Sequence, residues 1–269
     1  MDFKVLEKRV NEILAGFDKE KYPNALVTLE RVAEGQYYGN VYDFAVDVMD
    51  SDKALALEYN LAKLVKEILL DEINENNHNA SCDLGALYYT GRIGEQSYEK
   101  AVYYYEKSAK LGNRQAIENL GYCYYYGRVG EVDYKKAYHY FVKGALDGQL
   151  VSLYKIGDMY KKGLYVEKDE KQAYYIYRRC SELLTDEQEE ICGADIYIRL
   201  GDCYYYEVGV VKNLGVALYC YQRAEGLYYN RITDGDFTYK KQYERAIKMQ
   251  EIIREERKKE IPNYDWAKK

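Results

Sequence analysis

Small and apolar residues recur along this chain at helical spacing, and the helical pattern itself repeats. In the middle of the sequence Ala116, Leu120, Gly121 and Tyr124 mark one face of a first helix. After the glycine-containing turn GRVG (127–130), Ala137, Tyr140, Phe141 and Ala145 form an i, i+3, i+4, i+8 stripe on a second helix. Gly85, Gly121 and Gly157 stand 36 residues apart and Gly201 follows after 44, while Ala101, Ala137, Ala173 and Ala217 keep the same intervals. Two independent markers with one spacing define an array of repeated units. The units read LGALYYTGRIGEQSYEKAVYYYEKSA (84–109), LGYCYYYGRVGEVDYKKAYHYFVKGA (120–145), IGDMYKKGLYVEKDEKQAYYIYRRCS (156–181) and LGDCYYYEVGVVKNLGVALYCYQRAE (200–225).

Start and stop signals agree with a pair of helices per unit. Four residues before each marker alanine stand Ser97, Asp133, Asp169 and Asn213, all residue types that accept hydrogen bonds from the open amides of a first helical turn. Gly112 and Gly148 end the second helices. A weaker unit precedes the four: Asp50, Ala54 and Ala62 match the cap and two alanines, and its second helix runs on towards Asn74. Before it, Phe3, Leu6, Val10, Ile13, Leu14 and Phe17 predict an amphipathic first helix. Residues 236–258 predict a last one, with Tyr239, Tyr243, Ala246, Ile247 and Ile253 on its apolar side. Such ends suit a stacked array, whose terminal units must show one polar face. The expected division is a helical cap with one degenerate repeat over 1–79, four repeats over 80–227, and a capping helix with tail over 228–269.

At 269 residues the chain exceeds ordinary single-domain size, which an array reaches by adding units rather than by enlarging one core. With 45 acidic against 39 basic residues the net charge is −6, so no cationic excess exists to neutralise a phosphate backbone, and nucleic acid is not an expected partner. No run of about 18 apolar residues suggests a membrane span, and no export signal is visible. The expectation is a cytoplasmic protein with reduced thiols. The six cysteines form no C-x-x-C pair and the two histidines, His78 and His139, lie far apart, so no four-ligand zinc spacing can be written and no cofactor is expected.

The pattern A-x-x-x-L-G-x-x-Y-x-x-G followed by D-x-x-K-A-x-x-Y-[FY]-x-x-x-A resembles the Sel-one-like repeat, a relative of the tetratricopeptide repeat. Ala116, Leu120, Gly121, Tyr124, Gly127, Asp133, Lys136, Ala137, Tyr140, Phe141, Ala145 and Gly148 occupy its positions in the second unit, and the resemblance spans roughly residues 80–227. It implies an all-α, right-handed α-solenoid of stacked antiparallel helix pairs acting as an adaptor, scaffold or regulator of other proteins. The departures are the turns GRIGE and GRVGE, and Glu207 where the fourth unit should carry a turn glycine. The unit-spaced cysteine pattern of disulfide-bridged members is missing, so neither bridges nor the β-lactam binding linked to some of them is carried over.

Position within the repeat assigns the chemically tempting residues. Cys123 aligns with Leu87, Met159 and Cys203, and Cys220 with Tyr104, Tyr140 and Ile176, so both read as core. His139 aligns with Tyr103, Tyr175 and Tyr219, with no nucleophile or carboxylate at a catalytic spacing. The GRVG glycines follow a helix rather than a strand, which excludes a phosphate loop. The acidic stretch TDEQEE (185–190) and the run REERKKE (254–260) read as solvated surface.

Among the tyrosines, Tyr88, Tyr124, Tyr160 and Tyr204 share the face of the Leu-Gly pair and are expected to pack between helices. Tyr122, Tyr125 and Tyr126 lie off that stripe and vary between units, as do Tyr89 in the first, Asp158 and Lys162 in the third, and Asp202, Tyr205 and Tyr206 in the fourth. First helices line the concave side of tetratricopeptide-type solenoids. The resemblance therefore implies that these residues, with Asn119, Lys155 and Arg199 one turn earlier, face a groove. The expected ligand is an extended peptide or a helix with apolar anchors and a carboxylate opposite Lys155, Lys162 or Arg199. A non-enzymatic interaction module is the leading reading. The competing ones are an enzyme with its site in the groove or in residues 1–50 and 230–269, and a structural protein that self-associates through tyrosine-rich faces.

Overall fold

The computed structural model describes residues 1–51 and 58–260 of the chain; Ala54 of the degenerate repeat and the tail beyond residue 260 lie outside them. Among the described residues every regular element is helical. The chain forms two compact units, the first from Met1 to Ala137 and the second from Tyr138 on.

The first unit opens with four helices, α1 (Phe3–Leu14), α2 (Pro23–Ala33), α3 (Val41–Asp50) and α4 (Tyr59–Asn74). Leu6 and Val10 of α1 are buried, as the amphipathic pattern requires. In α3, Asn40 and Asp43 cap each other reciprocally. The repeats follow, with α5 (His78–Thr90) and α6 (Tyr98–Lys110) as one pair and α7 (Arg114–Tyr125) as the first helix of the next. Its partner α8 (Tyr134–Leu146) contains the boundary between the units. The second unit continues with α9 (Leu150–Lys162), α10 (Glu170–Glu182), α11 (Ala194–Tyr206), α12 (Leu214–Thr233) and α13 (Lys240–Glu260).

All four expected caps form: the side chains of Ser97, Asp133, Asp169 and Asn213 accept from the amides of Lys100, Lys136, Gln172 and Val216 at 3.2, 2.9, 2.9 and 3.0 Å. The turn between paired helices begins in each repeat with a left-handed residue, at Gly91, Gly127 and Gly163 with φ of 74°, 62° and 68°. Glu207 takes that role in the fourth with φ of 59°, so the turn keeps its shape at the expense of local strain.

The Leu-Gly glycine is the close-approach position. A Cβ on Gly85 would lie 2.7 Å from the ring of Tyr105, on Gly157 2.6 Å from that of Tyr177, and on Gly201 3.1 Å from that of Tyr221. These aromatics sit four residues after the marker alanine, and Tyr105, Phe141, Tyr177 and Tyr221 are all buried. The four expected tyrosines do pack between helices, Tyr88 buried and stacked on Tyr104 at 5.7 Å, and Tyr124, Tyr160 and Tyr204 half-buried, with the Tyr124 hydroxyl donating to Glu106 at 3.4 Å and the Tyr204 hydroxyl 2.8 Å from that of Tyr174. Tyr125, expected off that stripe and facing the groove, instead turns in against the ring of Tyr134 at 5.5 Å and is buried. Tyr124 lies beneath the ammonium of Lys136, at 4.8 Å.

The 8-residue insertion before the fourth repeat extends the first helix of that repeat. Thr185 and Gln188 cap each other, Asp186–Gln188 form a helical turn, and a π-helical stretch at Glu189–Gly193 leads into α11. The segment is not merely solvated, since Glu189 accepts from Arg223 and from the Tyr197 hydroxyl. At the end, Ala246, Met249 and Ile253 of α13 close the core formed by Tyr221, Ala224 and Tyr228 of α12.

Candidate functional site

In the first unit the candidate residues gather at the ends of the first helices. Tyr122 in the last turn of α7 and Tyr126 at its C-cap stack with ring centroids 6.1 Å apart and planes 7° from parallel. Tyr126 is 49% exposed. Next to it stands a residue that the repeat pattern absorbed as a turn position, Arg128 of GRVG. Its guanidinium lies 5.7, 5.4 and 5.6 Å from the ring centroids of Tyr89, Tyr98 and Tyr126, and its Nε donates to the Tyr89 hydroxyl at 3.1 Å. The available sequence signal was the arginine shared by the turns GRIG and GRVG. Asn119, one turn before Tyr122, is half-buried and receives a bond from Gln115 at 3.3 Å. Its counterpart in the preceding repeat, Asp83, accepts from the Tyr42 hydroxyl at 2.6 Å, and burial pushes its carboxyl above the ordinary range.

In the second unit the charged candidates are tied to one another. Asp158 accepts from Arg199 Nε at 2.7 Å and Nη2 at 2.8 Å, and from the Tyr177 hydroxyl at 2.8 Å, with Lys155 Nζ 3.8 Å away. Arg199 also covers the ring of Tyr154 at 4.1 Å. Burial by itself would raise the Asp158 carboxyl, but the Arg199 guanidinium, Lys155 and the Tyr177 hydroxyl outweigh it and hold the group below the usual carboxylate value. Burial lowers the Lys155 ammonium. One repeat on, Asp202 accepts from the Tyr221 hydroxyl at 2.6 Å and from Arg245 of α13. The acid after each glycine thus fastens the tyrosine of its own second helix to an arginine of the following first helix.

Lys155, Asp158 and Arg199, expected to face a groove, are largely enclosed, with side chains 10%, 12% and 18% exposed. Lys162 is exposed at the end of α9. Tyr205 is half-buried beneath the ammonium of Lys212 at 5.1 Å, and Tyr206 is exposed, its hydroxyl 3.7 Å from the sulfur of Met249.

Burial pushes the thiols of Cys82, Cys123, Cys180, Cys203 and Cys220 up to about 12, so these side chains pack rather than attack. Among the described residues no group of three or more His, Cys, Asp or Glu side chains could hold a metal ion, and no helix is long and apolar enough to cross a membrane.

Helix pairs locked glycine against ring, capped alike and joined by left-handed turns define an α-solenoid of repeated units. The Sel1 repeat matches residues 78–113, 114–149, 150–183 and 195–225, and the chain belongs to the Sel1 repeat family, whose members are generally protein-interaction scaffolds. The crystal structure of a Sel1 repeat protein from Oxalobacter formigenes aligns with a TM-score of 0.56 and 22% identity over 84% of this chain and 96% of that one. A protective antigen present in uropathogenic Escherichia coli strains, displaying the SLR fold, aligns with a TM-score of 0.56 and 23% identity over 81% of this chain and 48% of that one. No curated protein matches the chain.

Proposed function

We propose that the chain is a non-catalytic protein-interaction module that receives a peptide, or a segment of a partner protein, on its first-helix faces, with Tyr122, Tyr126 and Arg128 forming the contact of the first unit. The observation that carries this reading is the Arg128 guanidinium set against three tyrosine rings beside the exposed Tyr126. Tyrosine and arginine dominate binding energy at protein interfaces, and side chains already held in place lose little freedom on binding. Apolar anchors of the ligand would lie on the rings. In the first unit its carboxylate falls to Arg128, whereas Arg199 of the second unit is engaged by Asp158. A reducing cytoplasm, with which six free, buried cysteines are in keeping, belongs to the same proposal.

A peptide array probed with the wild type, Tyr122→Ala/Tyr126→Ala and Arg128→Ala tests the reading. Both variants are expected to lose about tenfold or more in affinity for the peptides that the wild type retains. Equal binding by all three proteins removes it.

A further inference from the structure

The second helices carry a regular feature that stacking does not use. Two residues after the marker alanine, the second unit presents His139, Tyr175 and Tyr219, all exposed, with Tyr175 at 58% and Tyr219 at 55%. Four residues further, on the same face of each helix and one turn on, stand Lys143, Arg179 and Arg223. Each second helix of this unit therefore shows an aromatic ring and a cation side by side at one register. The first unit has the same pair in Tyr103, 61% exposed, and Lys107.

The tyrosines of the ring column stay more than half exposed, Tyr175 meeting the neighbouring ring of Tyr174 on its own helix at 5.6 Å, while the deep contacts of these helices are made at other positions, among them the alanine and the aromatic four residues after it. Large aromatic surface left exposed at a repeated register marks an interaction face. Cations recurring beside it on a chain of net charge −6 set the sign of the partner.

One rung already has an occupant within the chain. Arg223 holds the carboxylate of Glu189, which also accepts from the Tyr197 hydroxyl at 2.9 Å. The guanidinium of Arg231, two turns further along α12, donates to the carbonyl of Glu190 at 2.8 Å. An acidic, helical segment, Asp186–Gly193, is thus seated on the cations of a second helix. On α10 the same register, at Arg179, meets Glu182 of its own helix at 3.5 Å.

We infer that the second-helix face of the second unit is a docking surface for an acidic segment of a partner protein, which lays carboxylates on the cation column and apolar side chains on the ring column. This surface is separate from the first-helix contact proposed above.

Fluorescence anisotropy with a labelled peptide of repeating Glu-Glu-Leu triplets at low salt tests the inference, with circular dichroism confirming that each variant is folded. The wild type is expected to bind saturably, Tyr175→Ala/Arg179→Glu to bind about tenfold or more weakly, and Tyr126→Ala to bind within about twofold of the wild type. No saturable binding, or equal binding by Tyr175→Ala/Arg179→Glu, overturns it. So does a loss confined to Tyr126→Ala, which would assign the peptide to the first-helix face. Equal or tighter binding of duplex DNA to the same residues, or light scattering that shows a wild-type dimer absent in Tyr175→Ala/Arg179→Glu, would replace the acidic segment by another occupant.

Discussion

Asp158 offers the sharpest test of how the repeats of the second unit are held together. Replacing it by alanine removes the acceptor of two Arg199 bonds at 2.7 and 2.8 Å and of the Tyr177 hydroxyl bond at 2.8 Å. Tyr177 is fully buried and the Arg199 side chain is 18% exposed, so water replaces these partners poorly. Removing one member of a buried ion pair costs about 3–5 kcal/mol, much of it the penalty of the charge left behind. At about 2–4 °C per kcal/mol for a chain of this size, Asp158→Ala should melt roughly 10 °C below the wild type. Asp158→Asn keeps an acceptor for Tyr177 and should lose less. Asp158→Ala/Arg199→Met should recover about 1 kcal/mol or more of the loss, because the double variant removes the guanidinium that Asp158→Ala strands and leaves only the Lys155 ammonium without its carboxylate.

Acid titration gives an independent readout of the same carboxylate. Its folded pKa is depressed, so its contribution is complete above the unfolded value of about 3.9 and disappears as pH falls through the lower, folded value. The stability gap between wild type and Asp158→Asn should therefore be constant near neutrality and narrow below about pH 4. Urea unfolding followed by circular dichroism from pH 7 to 3 measures both effects. A loss under about 1 kcal/mol for Asp158→Ala, strict additivity with Arg199→Met, or a gap that persists at low pH would refute the clasp.

Three further outcomes are expected. Glu207→Gly should stabilise the chain by about 1 kcal/mol in the same assay by relieving the left-handed conformation at φ 59°; an unchanged or lower midpoint would contradict the strain. Gly157→Ala should cost about 1–3 kcal/mol because its Cβ would stand 2.6 Å from the Tyr177 ring. Gly226→Ala, in a helix with nothing within 4 Å, should gain about 0.5–1 kcal/mol, and the reverse order would refute the packing argument. Cys82, Cys123, Cys180, Cys203 and Cys220, pushed up to about 12 by burial, should resist Ellman's reagent at pH 8 until urea is added. Stoichiometric modification of any of the five in the folded chain within minutes, read by mass spectrometry, would show otherwise.

The architecture was legible because its markers are local: a cap four residues before an alanine and a glycine facing a ring are set by nearest turns of helix, and each recurs. What escaped was phase at a helix end and pairing at long range. Tyr124 and Tyr125 are one residue apart in the last turn of α7, and only the position of Tyr134 on the next helix decides which ring turns inward. Asp158 and Arg199, 41 residues apart, are charged and differ from their counterparts, which by itself points to surface. Yet an acid after the glycine and an arginine in the following first helix occur together twice, as Asp158 with Arg199 and Asp202 with Arg245, whereas Ala86 is followed by Asn119 and Tyr122 by Lys155. Variation between repeats thus marked an interlocked pair rather than a free surface. The converse holds on the second helices, where Tyr103, Tyr175 and Tyr219 recur without being buried. In the second unit, a ring kept more than half exposed at one register beside a cation is better explained by the acidic segment inferred above than by anything inside the fold.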